Sequence, residues 1–259
     1  MGNKCKEYHL TENEIETKLV NLKTWLGDWN KKEFIKKISN LKFTSPAKED
    51  IFNAFKLFPM EETRIVIIGQ DPYTDNKTKD CAHGYSFSSQ NGKTDSLEHI
   101  FDAVEEYVSP KKIKREWNLE KWAETNNVLL LNTALTYNQE QSFTDRKQAW
   151  QPFFNQIIQN LLTTENEINP NLVVFLWGED AKTAFHNAIF YNQKEQKVDI
   201  TKKIKRNLLV LSTSHPSDNW HSYKKGFYYE APNHFKICDE FLGKNKKTKK
   251  YTWRNFPEK

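Results

Sequence analysis

Residues 64–73 read RIVIIGQDPY: Arg64–Ile68 is an almost uninterrupted β-branched run, and Gly69-Gln70-Asp71-Pro72-Tyr73 breaks it abruptly. A short apolar run bounded by breakers reads as a strand buried in a parallel sheet. It ends in a turn rich in polar and ring-bearing groups, which is where open α/β sheets place their ligands. A core strand needs no function, but Gln70, Asp71 and Tyr73 around one Gly and one Pro are unusual for a passive turn.

Three more apolar runs lie downstream. Val128–Leu131 ends at Asn132, Leu172–Trp177 ends at Gly178, and Leu208–Leu211 ends in Ser212-Thr213-Ser214-His215-Pro216. Helical patterns separate them. Thr11 and Glu14 have capping-box spacing ahead of Ile15, Leu19, Leu22 and Leu26. Trp29, Phe34 and Ile38 continue that packing after a break near Gly27, and Pro46 precedes a short helix over about 48–56. Tyr85–Phe87 reads as a short extended stretch. Asp95 with Glu98 predicts a helix start ahead of the stripe Leu97, Ile100, Phe101, Val104 and Val108. After a polar loop over 137–147 comes the clearest helix, with apolar positions from 150 to 162 and Pro152 in its first turn. Further helices are expected over about 180–189 and 233–242, with Asp180 capping the first of them.

Strands alternating with helices predict an α/β fold: a central four-stranded, mostly parallel sheet flanked by helices on both sides. All four strands then deliver polar residues to one sheet edge: Gln70 and Asp71, Asn132, Gly178 and Glu179, and His215.

Composition agrees with a soluble globular chain: 259 residues, 28% charged and 37% hydrophobic, enough for one sizeable core. Three cysteines at 5, 81 and 238 show no metal-ligand spacing, and an odd number argues against a disulfide scaffold. There is no membrane-spanning run and no signal-peptide core, so the expectation is an intracellular, cytoplasmic enzyme or binding protein, or one in another DNA-containing compartment. Net charge is +5, but residues 244–259 carry seven basic groups against Glu258, leaving the body at −1. The expected organisation is one domain over 1–243 and a basic tail over 244–259. With Tyr251, Trp253 and Phe256 interspersed, that tail suits a phosphate backbone or plain solvation.

At the shared edge, Asp71 can orient water or stabilise positive charge, and His215 can donate to a developing oxyanion. Asn132 offers a donor and an acceptor side by side, which suits a planar amide-like ligand. Tyr73 and Phe87 can wall a flat slot. Each residue also has a plainer reading: Asp71 as a turn cap, Asn132 satisfying strand-end backbone, and His215 as a packed core histidine. No phosphate loop, dinucleotide fingerprint, metalloprotease helix or nucleophile elbow competes, and no metal or cofactor is expected.

These residues resemble the family 1 (Ung-type) uracil-DNA glycosylases. The resemblance is carried by Gly69-Gln70-Asp71-Pro72-Tyr73, Ala82-His83-Gly84 followed by Phe87, Leu129–Thr133 with Leu135-Thr136, Val174–Gly178, and His215-Pro216-Ser217 with Gly226-Phe227. The motifs run in order from about residue 45 to 242. The resemblance implies a cofactor-free hydrolysis of the uracil–deoxyribose bond in DNA, with Asp71 and His215 catalytic. It implies that Gln70, Tyr73, Phe87 and Asn132 bind uracil, with substrate single-stranded or flipped out of a duplex. Ser96, Ser217, Asn219, Trp220 and Tyr223 are the DNA-contacting candidates, and a proteinaceous inhibitor or a replication or repair partner stays open. A non-catalytic uracil- or DNA-binding protein on the same fold is the alternative.

The departures concentrate outside the pocket. Thr74 stands where the family has His, and the stretch to Ala82 is three residues longer. Asn91–Asp95 replaces a proline-rich loop, Phe143 replaces the His of a Ser-His pair, and Glu179 replaces a small residue. Asp218-Asn219-Trp220-His221 replaces the segment holding the duplex-inserting leucine.

Overall fold

The structure, a computed structural model, describes residues 7–73, 81–108, 113–192, 196–218 and 226–243. At the N-terminal side, β1 (Tyr8–His9) pairs antiparallel with β2 (Lys42–Phe43), closing a unit of α1 (Glu12–Val20), α2 (Lys23–Leu26) and α3 (Lys32–Ser39). The Thr11–Glu14 capping box forms as the spacing predicts, and Ile15, Leu19, Trp25, Phe34 and Ile38 are buried. The expected helix over 48–56 is instead a series of turns ending in a 3-10 turn at Asn53–Phe55, although Ile51, Phe52 and Phe55 are buried as anticipated.

The central sheet contains β3 (Ile65–Gly69), β4 (Val128–Asn132), β5 (Asn171–Trp177) and β6 (Asn207–Thr213) in the order β4-β3-β5-β6, all parallel. Every residue of β3 and β4 is buried. That is why these strands carry unbroken apolar runs rather than an alternation. Gly69 pairs in register with Asn132, and Trp177 with Thr213, so the strand ends finish level on one edge. β6 is one of the two outer strands, and only its Leu211 and Thr213 are buried. Helices cover the sheet: α4 (Asp95–Val108), α5 (Glu120–Asn126), α6 (Phe143–Thr163), α7 (Glu179–Phe190) and α8 (Phe227–Gly243). α4 packs against α8, and Tyr107 donates to Asp239 across that contact at 2.7 Å; α6 packs against α7 and the N-terminal helices.

Several boundaries differ from the sequence reading, each for a local reason. α6 starts at Phe143, with Ser142 as its N-cap accepting from the Asp145 N–H, so Pro152 lies in the helix interior. The carbonyl four residues earlier, Gln148, loses its helical donor to the proline, and Lys37 Nζ donates to it at 3.0 Å instead. α8 likewise begins six residues earlier than expected, capped by Ser214 Oγ, which accepts from the Phe227 N–H at 2.8 Å. α4 is capped by Thr94 rather than Asp95: Thr94 Oγ1 accepts from the Leu97 N–H at 3.4 Å. Gly178, not Asp180, holds the N-cap position of α7, and Asp180 pairs with Lys147 Nζ at 3.4 Å. Tyr85–Phe87 is a turn, and Phe87 sits at a positive φ of 60°.

Candidate active site

The loop after β3 is clipped onto the loop after β4. Thr133 N–H donates to the Gly69 carbonyl (3.0 Å), Ala134 N–H to the Gln70 carbonyl (3.1 Å), and Thr133 Oγ1 to the same Gln70 carbonyl (2.8 Å). The ladder thus continues one step past the strands and sets Gln70 and Asp71 beside Asn132. The 85–88 turn crosses this edge and is held by Ser86, whose Oγ donates to the Ile67 carbonyl and whose N–H donates to that of Leu130.

Around these loops lies a cavity of about 470 Å³. Its lining includes Gln70, Asp71, Tyr73, Phe87, Ser96, Asn132, His215 and Ser217, so eight of the eleven candidates named from sequence converge on one space. The other three, Asn219, Trp220 and Tyr223, lie outside the described residues, as does the basic tail.

Gly69 makes the cavity floor possible. A Cβ there would stand 2.4 Å from Asn132 Oδ1 and 2.7 Å from Ser86 Cβ. Asn132 is nearly buried yet makes no side-chain hydrogen bond among the described residues, so its amide stays available to a ligand. Phe87 packs edge-on against buried Trp177 at 5.3 Å between ring centres and lies 5.8 Å from the His215 ring.

Tyr73 is pinned at its far end. Its hydroxyl donates to the Phe87 carbonyl at 2.9 Å, which leaves its oxygen to accept from Thr94 Oγ1, also at 2.9 Å. Burial pushes the phenol above its ordinary value, so it stays a neutral donor. One hydroxyl therefore ties the β3 loop, the 85–88 turn and the cap of α4.

His215 sits in a turn closed by the Asp218 N–H on the His215 carbonyl at 2.9 Å. The backbone N–H of Ser217 donates to His215 Nδ1 at 3.2 Å, and Ser217 Oγ lies 2.7 Å from the same nitrogen. An N–H can only donate, so Nδ1 holds a lone pair and the ring proton of the neutral imidazole is on Nε2. Burial lowers the His215 pKa, opposed by Asp218 and Asp180, which favours that neutral form. Gly178 gives the ring its room: a Cβ there would stand 3.2 Å from His215 Cβ. His99, on α4, holds the same turn through Nδ1 at 2.5 Å from the Pro216 carbonyl.

Among the described residues Asp71 engages a distant element rather than its own turn. Its Oδ2 lies 2.6 Å from Arg146 Nη2, a buried ion pair linking the β3 loop to the first turn of α6. Burial raises the Asp71 pKa, while the hydrogen bond and charge of Arg146 pull it back. Sequence reading missed Arg146 and Thr94. Ser142-Phe143-Thr144-Asp145 has the spacing that marks a helix start, and it would have moved Arg146 from the polar loop onto the buried stripe of 149, 150 and 153. Glu179 is strongly exposed and paired with Lys182 at 2.6 Å, and it is not among the residues that line the cavity. No group of three or more His, Cys, Asp or Glu side chains suited to a metal occurs among the described residues.

Comparison with known proteins identifies the family. The chain is 32% identical over 217 residues to a uracil-DNA glycosylase of Francisella tularensis subsp. novicida, covering 83% of this chain and 86% of that one. It is 34% identical over 216 residues to a uracil-DNA glycosylase of Oceanobacillus iheyensis, covering 83% and 82%. The crystal structure of mimivirus uracil-DNA glycosylase superposes with a TM-score of 0.64 at 22% identity, covering 93% of this chain and 85% of that one, which bears on the fold alone. Residues 55–242 match the family described as the uracil DNA glycosylase superfamily, and with well over half of its length inside that match, this chain belongs to it.

Proposed function

We propose that this chain hydrolyses the N-glycosidic bond between uracil and deoxyribose in DNA, leaving an abasic site. The observation that carries the reading is the convergence of Asp71, Asn132, His215, Tyr73 and Phe87 on one cavity, with the His215 proton directed to Nε2. The relatives bearing that activity in their names supply the context.

As the C1′–N1 bond opens, positive charge develops on the sugar and negative charge on the base. His215 donates from Nε2 to uracil O2, and a neutral donor placed in advance stabilises that anion without reorganisation. The carboxylate of Asp71 stabilises the cationic sugar and positions the water whose oxygen bonds to C1′. The water proton passes to that carboxylate and on to solvent, and the base leaves as its anion. Asn132 donates to O4 and accepts from N3–H; cytosine presents the opposite pattern and would leave both amide groups unmatched. The Tyr73 ring, pinned at its hydroxyl, stands beside C5 and excludes a methyl group, while Phe87 stacks on the base. Such a pocket accepts a base only once it is unstacked, so the substrate is single-stranded or flipped duplex DNA. Water is the attacking group in this scheme, so the enzyme is monofunctional.

Free uracil and abasic sites measured after incubation with single- and double-stranded uracil oligonucleotides test the proposal. Release from either supports it. Tight uracil-DNA binding by folded protein with no release from either would turn the reading to a binding protein on this fold.

A further inference from the structure

Arg146 is 5% exposed and enclosed on every side. Its guanidinium carbon lies 4.4 Å from the centre of the Tyr137 ring and 5.9 Å from that of Phe143. Nη1 donates to the carbonyls of Asn138 at 3.1 Å and of Gln141, and Nη2 reaches Asp71 Oδ2. Nε finds no partner among the described residues. A planar fork stacked on a ring and bonded to two carbonyls has little freedom left, so Nη2 points where the 137–146 segment directs it. The contact with Asp71 is to one carboxylate oxygen.

We propose that Arg146 is a positioning residue for the hydrolytic reaction: it locks Asp71 through Oδ2 and balances its charge, leaving Oδ1 for the attacking water and the sugar. The inference rests on the function proposed above. Partial burial favours the protonated form of a carboxylate that has no counter-charge, and a protonated Asp71 neither accepts a proton from water nor stabilises a cation. Two-point chelation by Arg146 would take both oxygens; the single contact keeps one in reserve. The other charges around Asp71 do not replace Arg146. Asp180 on α7 acts on it as a second anion, Lys147 on α6 is paired with Asp180, and His215 across the cavity is favoured neutral.

The test is the pH dependence of uracil release from a single-stranded oligonucleotide by the full chain, for Arg146→Met and Arg146→Lys. Losing the counter-charge raises the Asp71 pKa, so in Arg146→Met the acid limb of kcat/KM moves to higher pH, by about one unit or more. Its plateau falls about tenfold to a hundredfold from lost orientation. Arg146→Lys keeps a charge and holds the limb near its original position on a lowered plateau. In an Asp71→Asn background, Arg146→Met causes no further loss. A uniform loss at every pH with the limb unmoved, or the same fall in the Asp71→Asn background, would overturn the proposal and leave Arg146 a packing residue. Should Arg146→Met not fold, Arg146→Lys decides: a limb that shifts despite the retained charge, or an unchanged plateau, overturns it. Carbon-13 NMR of labelled aspartate, with the Asp71 carboxyl assigned through Asp71→Asn, reads the same shift without turnover. If the unaltered chain releases no uracil, that titration still judges the Arg146–Asp71 coupling by itself.

Discussion

Replacing Gly69 by alanine adds one methyl group where β3 runs beside Asn132. The backbone has no objection, because Gly69 is the last residue of a regular strand and not at a positive φ. Space does object: the new Cβ would stand 2.4 Å from Asn132 Oδ1 and 2.7 Å from Ser86 Cβ. Ser86 is held by two hydrogen bonds, to the Ile67 and Leu130 carbonyls, whereas the Asn132 amide is held by none among the described residues. Asn132 therefore yields, and ordinary contact requires its amide to move by roughly 1 Å. A misplacement of that size costs about 100-fold in rate. Stability changes far less. Overpacking costs about 1–3 kcal/mol, and a less flexible unfolded chain returns about 0.4–1 kcal/mol, leaving a net loss on the order of 1 kcal/mol. Steady-state uracil release measures the first quantity and urea denaturation the second. A Gly69→Ala chain within a few-fold of the original rate would refute the reasoning that Asn132 reads the base from this position. Loss of the fold would show instead that the strand end cannot adjust at all.

Other perturbations have equally specific outcomes. Asp71→Asn keeps the fold, since the amide oxygen still accepts from Arg146, but lowers uracil release by about 100-fold or more; a circular dichroism spectrum beside the rate separates the two effects. Thr94→Val removes one hydrogen bond from the Tyr73 hydroxyl, worth about 1 kcal/mol, so discrimination between uracil and its 5-methyl counterpart should fall roughly fivefold; unchanged discrimination with unchanged rate would mean that the Phe87 carbonyl suffices to hold the ring. Burial lowers the His83 pKa from 6.5 to about 4. A histidine kept neutral in the fold contributes stability that is fully present above its unfolded pKa and is lost as pH falls toward 4. His215 and His234 are lowered in the same direction. The urea midpoint should drop across that window, and less in His83→Asn; parallel curves would exclude His83 as a contributor.

Much of this architecture is legible in the chain because burial on both faces of a parallel strand demands apolar runs, and such runs are visible without knowing their partners. Ile65–Ile68, Val128–Leu131 and Leu172–Trp177 were recognisable for that reason, and β6 by a weaker version of the same pattern. Helix starts were harder. Asp95 with Glu98 and Thr94 with Leu97 offer competing caps one residue apart, and only the hydrogen bond chooses between them. Pro152 suggested a first turn, since nothing local reveals that Lys37 will satisfy the Gln148 carbonyl from 111 residues away. Tyr85–Phe87 reads as extended in the sequence, but tertiary packing of Phe87 against Trp177 accompanies a left-handed backbone.

The amino-acid sequence by itself determined the strands, their parallel arrangement and the polar residues waiting at their ends, because periodicity and chain-breaking residues are local and act before any long-range contact forms. Tertiary structure alone decided how those residues are set for chemistry: the Arg146 counter-charge on Asp71 across 75 residues, the Thr94 hold on Tyr73, and the backbone donor that fixes the His215 tautomer. Charge balance, hydrogen-bond direction and free space are properties of neighbours in three dimensions. A carboxylate, an imidazole and a glycine carry no record in sequence of which atoms will stand beside them.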